Sequence, residues 1–374
     1  MTQFPAVDPI PLPAPVWLMK LLHIVTLSLH FVAVEILLGG LLLAILLSIF
    51  GRSAESKVTA RAIARRLTVV MTFVINLGVP PLLFAQVLYG RALYTSSVLI
   101  GIYWISIILI LMLLYRMLYR FSWQLEAGKP AWVPGLLAWL LAGLVARLLT
   151  SNMTLMLRPE AWKQMYAASA LGAYLPTGDP TIEPRWLMML AGGLFLGGLW
   201  IVYLSARSTF TPAEQKFAAG FGGKAAVLFG LVYLAAGIWA NAVQPGIVKQ
   251  LLVAPPAGYE FYKYYGLASY GWLALAAVGI VVAVIAGFGR IVSNVIAWAG
   301  VLVAVLLEIM LVVYRDAVRD LTLLSKGYNV WDRVVVTNWG VVGLFLVLFV
   351  AGLGVIGWLI SVVARAKKPM EGAA

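Results

Sequence analysis

His23 and His30 are the only imidazoles in the chain, and both fall in one apolar stretch, His-Ile-Val-Thr-Leu-Ser-Leu-His. Seven residues make two helical turns, so both rings leave the same face of a helix, roughly 10.5 Å apart along its axis. They cannot grip one metal ion together. They could serve two haems stacked through a bilayer, or one could ligate iron while the other bonds a backbone carbonyl or a haem propionate; a merely solvated His23 is the bland alternative. Glu308, in Leu-Leu-Glu-Ile-Met, is a lone carboxylate in a second apolar stretch and needs a metal, a cation or a proton there. Arg147 and Glu35 complete the ionisable groups inside apolar stretches. Arg147 could answer Glu308, Glu35 or a haem propionate, since guanidinium pairs with carboxylates in a bidentate fork. A purely structural Arg–Glu pair between helices would use the same residues.

These groups must be held by membrane helices. Of 374 residues, 63% are hydrophobic and 11% charged, where a water-soluble globule carries about a quarter charged residues. About 20 apolar residues cross the hydrocarbon core of a bilayer, and such stretches recur at about 17–49, 68–89, 97–118, 132–157, 186–205, 224–243, 267–288, 292–314 and 337–362. The expected architecture is an all-α, polytopic membrane protein of about nine transmembrane helices, a single membrane domain over 1–374. Zero cysteines exclude disulfides, iron–sulfur clusters, thiolate metal sites and covalent c-type haem in this chain.

The formal charge of +13 reads as membrane topology rather than as a nucleic-acid surface. Arg52, Lys57, Arg61, Arg65, Arg66, Arg116, Arg120, Arg207, Lys216, Arg365, Lys367 and Lys368 mark one side; the connections on the other hold most of the acids, including Asp8, Glu160, Asp179, Glu183, Glu260, Asp316, Asp320 and Asp332. That places the tail 1–16 outside and the tail 363–374 in the cytoplasm of a bacterial inner membrane. The longest outward connections, about 158–185, 244–266 and 315–336, are where a soluble partner would dock. Their Trp162, Tyr174, Tyr259, Tyr262 and Trp331 are expected to be interfacial anchors. Gln86 and Asn76 with Pro80-Pro81, Asn152, Met153, Met156 and Met188-Met189 add polar or soft groups inside spans. Ala191-Gly192-Gly193 and Gly197-Gly198 allow close helix contact or leave room for a flat macrocycle. No Walker A loop is present.

Leu29-His30-Phe31 followed by Gly39-Gly40, Leu77-Gly78-Val79, Asn152 before Pro159, and Glu308 seven residues before Arg315 together resemble subunit I, the haem-bearing subunit of cytochrome bd-type oxygen reductases. The resemblance implies a bd-like bundle in which His30 ligates a haem of the active-site pair and Glu308 ligates a high-spin b haem. The chain departs from that family where Gln86 stands for a ligating glutamate, and where Met188 and about Leu267 stand for the histidine and methionine of the low-spin b haem. The quinol loop is short, and Tyr314-Arg315-Asp316-Ala317-Val318 replaces the quinol signature. The implied function is a cytochrome b-type subunit with one or two b haems. It would pass electrons between the outer face and a c-type cytochrome or other periplasmic redox subunit, beside further membrane subunits. A haem-free anchor, a bd-like terminal reductase and a transporter lined by Glu35, Arg147 and Glu308 are the competing readings.

Overall fold

The computed structural model describes residues 10–207 and 210–365. Expectations for the tails therefore fall largely outside the described residues. The described residues form eleven α-helices: α1 Val16–Phe50, α2 Ala54–Leu99, α3 Gly101–Glu126, α4 Trp132–Leu155, α5 Pro159–Ala168, α6 Ile182–Ser205, α7 Pro212–Ala242, α8 Gly246–Val253, α9 Tyr262–Gly289, α10 Asn294–Leu324 and α11 Trp339–Arg365. Among the described residues, nine are long and apolar enough to cross a membrane, while α5 and α8 are short helices within connections. In hydrocarbon every backbone amide must be satisfied inside its own segment, which is why apolar runs of this length become helices.

Several helices run beyond the expected bounds, α2, α7 and α10 by ten residues or more at one end. The hydropathy maximum near 68–89 belongs to a 46-residue helix, α2, which starts at the Ser53 cap and runs through Pro80 and Pro81. Proline removes hydrogen bonds but is tolerated in membrane helices, where neighbours re-satisfy the freed groups. Helix α10 runs ten residues past the expected end at 314. Asp316 and Asp320 are buried against other helices, so the polar segment that looks like a loop is packed helix.

Small residues set the centre of the bundle. α6, the most buried span, meets α1 where an added Cβ on Gly39 would lie 1.7 Å from the Gly193 carbonyl oxygen, and it meets α7 where one on Gly198 would lie 2.6 Å from the Gly222 oxygen. α7 meets α9 in the same way at Gly223 and Gly287. Without a hydrophobic driving force between helices, such backbone contact gains packing that lipid cannot supply. The glycines of α6 thus serve close helix contact and leave no gap for a macrocycle against α1 at Gly39. Gly39→Ala is expected to push α1 from α6 and cost about 1–3 kcal/mol, the usual range for overpacking. Gly143→Ala on α4, where nothing lies within 4 Å, is the control. Thermal melting of both variants in detergent, followed by gel filtration, checks this.

Two of the expected surface anchors are internal. Trp162 is buried with its indole N–H donating to Leu155 O at 2.9 Å, and Tyr262 is buried with its hydroxyl donating to Asp320 at 2.9 Å. Tyr174 is exposed.

Candidate functional site

Helices α1 and α2 run antiparallel, and their pairing orients both imidazoles. His23 Nδ1 lies 3.0 Å from Pro81 O, and His30 Nδ1 lies 3.0 Å from Val74 O. Seven residues separate the rings and seven separate the two carbonyls, so one register fixes both. A carbonyl only accepts, so each ring carries its proton on Nδ1 and turns the Nε2 lone pair outward. From there the two differ. Arg319 Nη1 donates to His23 Nε2 at 3.0 Å. His30 Nε2 has no hydrogen-bond partner among the described residues, and the ring rests against Gly78, where a Cβ would lie 2.8 Å from Cε1. An imidazole oriented through Nδ1–H on a carbonyl, with Nε2 free, is the usual arrangement of a metal-ligating histidine. His30 has that arrangement; in this state His23 does not.

The carboxylates form a second centre. Glu308 on α10 and Glu35 on α1 are both buried and lie within interaction range of each other. Among the described residues, neither oxygen of Glu308, nor Glu35 Oε2, has a hydrogen-bond partner, and the same holds for the Tyr233 hydroxyl and the Trp272 indole N–H. Tyr233 lies within electrostatic reach of both carboxyls, and its ring packs edge-on against Trp272 with centroids 5.6 Å apart. Gly192 of α6 makes room, since a Cβ there would lie 2.7 Å from Glu35 Oε1. Unsatisfied polar groups at such depth cost several kcal/mol each. The Arg315 guanidinium, within electrostatic reach of both carboxyls, offsets part of that cost, and a shared proton or a bound metal would lower it further.

At the Lys20 end of the bundle lies a fully hydrogen-bonded ionic network. Lys20 Nζ sits 2.9 Å from Asp316 Oδ2, 2.5 Å from Asp320 Oδ2 and 2.7 Å from the Tyr89 hydroxyl, which donates to Asp320 Oδ1 at 2.7 Å. Arg319 Nη1 reaches Asp316 at 3.3 Å, and Trp331 donates its indole N–H to Tyr262 at 2.8 Å. The network ties α1, α2, α9 and α10 together beside His23.

No family model and no curated protein matches this chain. Among solved structures, the bd oxidase from Geobacillus thermodenitrificans superposes with a TM-score of 0.71 at 12% sequence identity, covering 96% of this chain and 100% of that one. The chain has the fold of bd oxidase. The expected all-α, bd-like bundle is therefore present, and at this identity the likeness is one of fold.

Within the bd oxidase fold, the structure brings Glu308 and Glu35 together and aligns His23 with His30, but it sends other expected site residues elsewhere. Arg147 pairs with Glu183 at 2.5 Å and stacks on Trp186 instead of answering Glu308 or Glu35. The pairing follows from position: Arg147 and Glu183 lie toward the neighbouring ends of α4 and α6. Met188 is packed in an apolar cluster with Ala191, Phe195 and Tyr233. Gln86 is half-buried on α2 without a hydrogen-bond partner among the described residues. Asn152 donates to Ser97 at 3.2 Å, and Asn76 donates to Thr72 O of its own helix. The network of Lys20, Tyr89, Asp316, Arg319, Asp320 and Tyr262 is the part that sequence reasoning missed. Its signal was the i, i+4 repeat of Arg315–Arg319 and Asp316–Asp320, which sets the charges in stripes along a helix.

Proposed function

We propose that this chain is a haem-bearing, cytochrome b-type subunit of a respiratory redox complex, with His30 and Glu308 as iron ligands. The observation that supports it is the pair of donors left open in an otherwise packed apolar bundle. These are the Nε2 of His30, held in ligating orientation by Val74, and the two unpartnered oxygens of Glu308. The donor set of one imidazole and one carboxylate fits b-type haem, one or two per chain.

Haem supplies one-electron chemistry at iron. His30 offers a neutral imidazole at fixed orientation, and Glu308 offers an anionic oxygen. Glu35, buried beside Glu308, is the second carboxyl of the pair, and a proton on either would keep the two from ionising together. The buried Tyr233, Phe195 and Trp272 exclude water around the carboxyl pair. The electron partner in this reading is extracytoplasmic, such as a c-type cytochrome. It would meet the Lys20 end of the bundle, taken as the outer face of a bacterial inner membrane, with other membrane subunits alongside. An anionic ligand stabilises ferric iron, so Glu308→Gln is expected to raise the midpoint potential of one haem and alter its spin state. Potentiometric titration and electron paramagnetic resonance of the full chain check this; titrations that overlay those of the wild type would remove Glu308 from the site.

A further inference from the structure

A groove of about 480 Å³ opens at the Lys20 end of the bundle, where the last turns of α2 face the short helix α5. Tyr94, Thr95 and Val98 of α2 line one wall, and Trp162, Lys163 and Tyr166 of α5 line the other. Trp162 and Met165 are the buried residues of α5, packed in one cluster with the end of α2. The Trp162 indole N–H is engaged with Leu155 O at 2.9 Å, which fixes that ring as a wall. Two polar groups of the groove are unengaged. Lys163 makes no ion pair or hydrogen bond among the described residues, although other cations of these connections are paired: Arg158 and Lys326 both meet Glu160, at 3.9 and 2.7 Å. Ser96 and Ser97 donate back to Leu93 O at 2.9 and 2.8 Å, a common way to satisfy a hydroxyl on a helix. Thr95, half-buried beside them, makes no hydrogen bond among the described residues.

One free cation beside a trough of apolar and aromatic walls matches an amphiphile with an anionic head. A soluble anion would leave the trough wet, and a plain hydrocarbon would leave Lys163 and Thr95 unmatched. The surroundings are those of a lipid. α3 starts at Gly101 and exposes Ile102, Ile105 and Ile108, so the exposed Val98 is the upper end of a continuous hydrocarbon-facing surface. Tyr94 and Tyr166 are both more than half exposed, and a ring with an apolar body and a polar tip suits the level of lipid head groups. A lysine at that level lays its stem along apolar surface and keeps its ammonium among the head groups.

We propose that the groove between α2 and α5 binds an anionic phospholipid, its head group held by Lys163 and the Thr95 hydroxyl and one acyl chain lying against Val98, Tyr94 and Trp162. The site is independent of the haem reading above. The test uses the full chain in phosphatidylcholine nanodiscs carrying a small fraction of a photoactivatable analogue, phosphatidylglycerol or phosphatidylcholine with a diazirine in one acyl chain. Cross-linked residues are mapped by peptide mass spectrometry. Labelling of segments 94–99 and 162–166 is expected to be about 5-fold higher with phosphatidylglycerol, the equivalent of about 1 kcal/mol for one cation at a membrane surface. Lys163→Gln is expected to lower that labelling to the phosphatidylcholine level and Lys163→Arg to keep it. Lys249→Gln, exposed at the same end of the bundle on α8, is expected to leave it unchanged. Equal labelling by the two lipids in the wild type, or labelling that Lys163→Gln does not lower, overturns the assignment. Equal losses in Lys163→Gln and Lys249→Gln overturn it in favour of diffuse surface charge, and no labelling of these segments by either lipid overturns it in favour of a protein occupant.

Discussion

Lys20→Met is expected to be among the most damaging single changes in the molecule, lowering stability by about 3–5 kcal/mol, the usual cost of breaking a buried ion pair from one side. Lys20 is 2% exposed, and its ammonium is shared by Asp316, Asp320 and Tyr89 across three helices. Methionine keeps the length and apolar bulk of the stem but leaves two aspartates facing each other, with only Arg319 and two tyrosine hydroxyls to hold them. Asp320→Asn in the same chain restores charge balance, so the double variant is expected to recover part of the loss. A packing defect at residue 20 would not be repaired in that way. Thermal melting of the purified single and double variants measures the difference; a Lys20→Met protein that melts with the wild type would show that the network is solvated.

His30→Ala is expected to strip the chain of the haem that depends on this ligand while leaving the bundle folded. The ring is half-buried, touches Gly78 of α2, and donates only to Val74 O, so its removal opens a small gap without orphaning a charge. Gly78→Ala is the gentler companion. Its Cβ would meet the edge of the imidazole at 2.8 Å, so the ring must shift, and ligand orientation changes with little cost to stability. His23→Ala is predicted to retain haem, because Arg319 and Pro81 occupy both nitrogens of that ring. Haem-to-protein ratios of the three variants, measured beside their melting curves, separate loss of a ligand from loss of the fold. A His30→Ala protein that keeps its full haem complement would place the iron elsewhere.

Much of this was legible in the residues alone. Hydropathy located all nine spans, because the length of an apolar run is set by bilayer thickness and little else. The seven-residue spacing placed His23 and His30 on one face, and the structure adds what spacing cannot carry: the different partners of the two Nε2 atoms, which depend on where α10 crosses α1. The ends of α2 and α10 were misplaced for a related reason. Arg61, Arg65, Asp316 and Asp320 read as loop chemistry, yet charged residues continue a helix when caps or buried partners satisfy them, as the Ser53 cap and Lys20 do. For Arg147 the sequence leaves Glu308, Glu35, a haem propionate and a structural glutamate pair all open, because it does not reveal that Glu183 stands beside it.

The central claim is that iron porphyrin binds where His30 and Glu308 leave donors open. The pyridine haemochrome assay on the intact, purified wild-type chain, with its dithionite-reduced minus oxidised spectrum, tests it most directly. A b-type spectrum at one or two haems per chain is the expected result. A monodisperse, cooperatively melting protein without a Soret band, even after expression with ample haem, would contradict it.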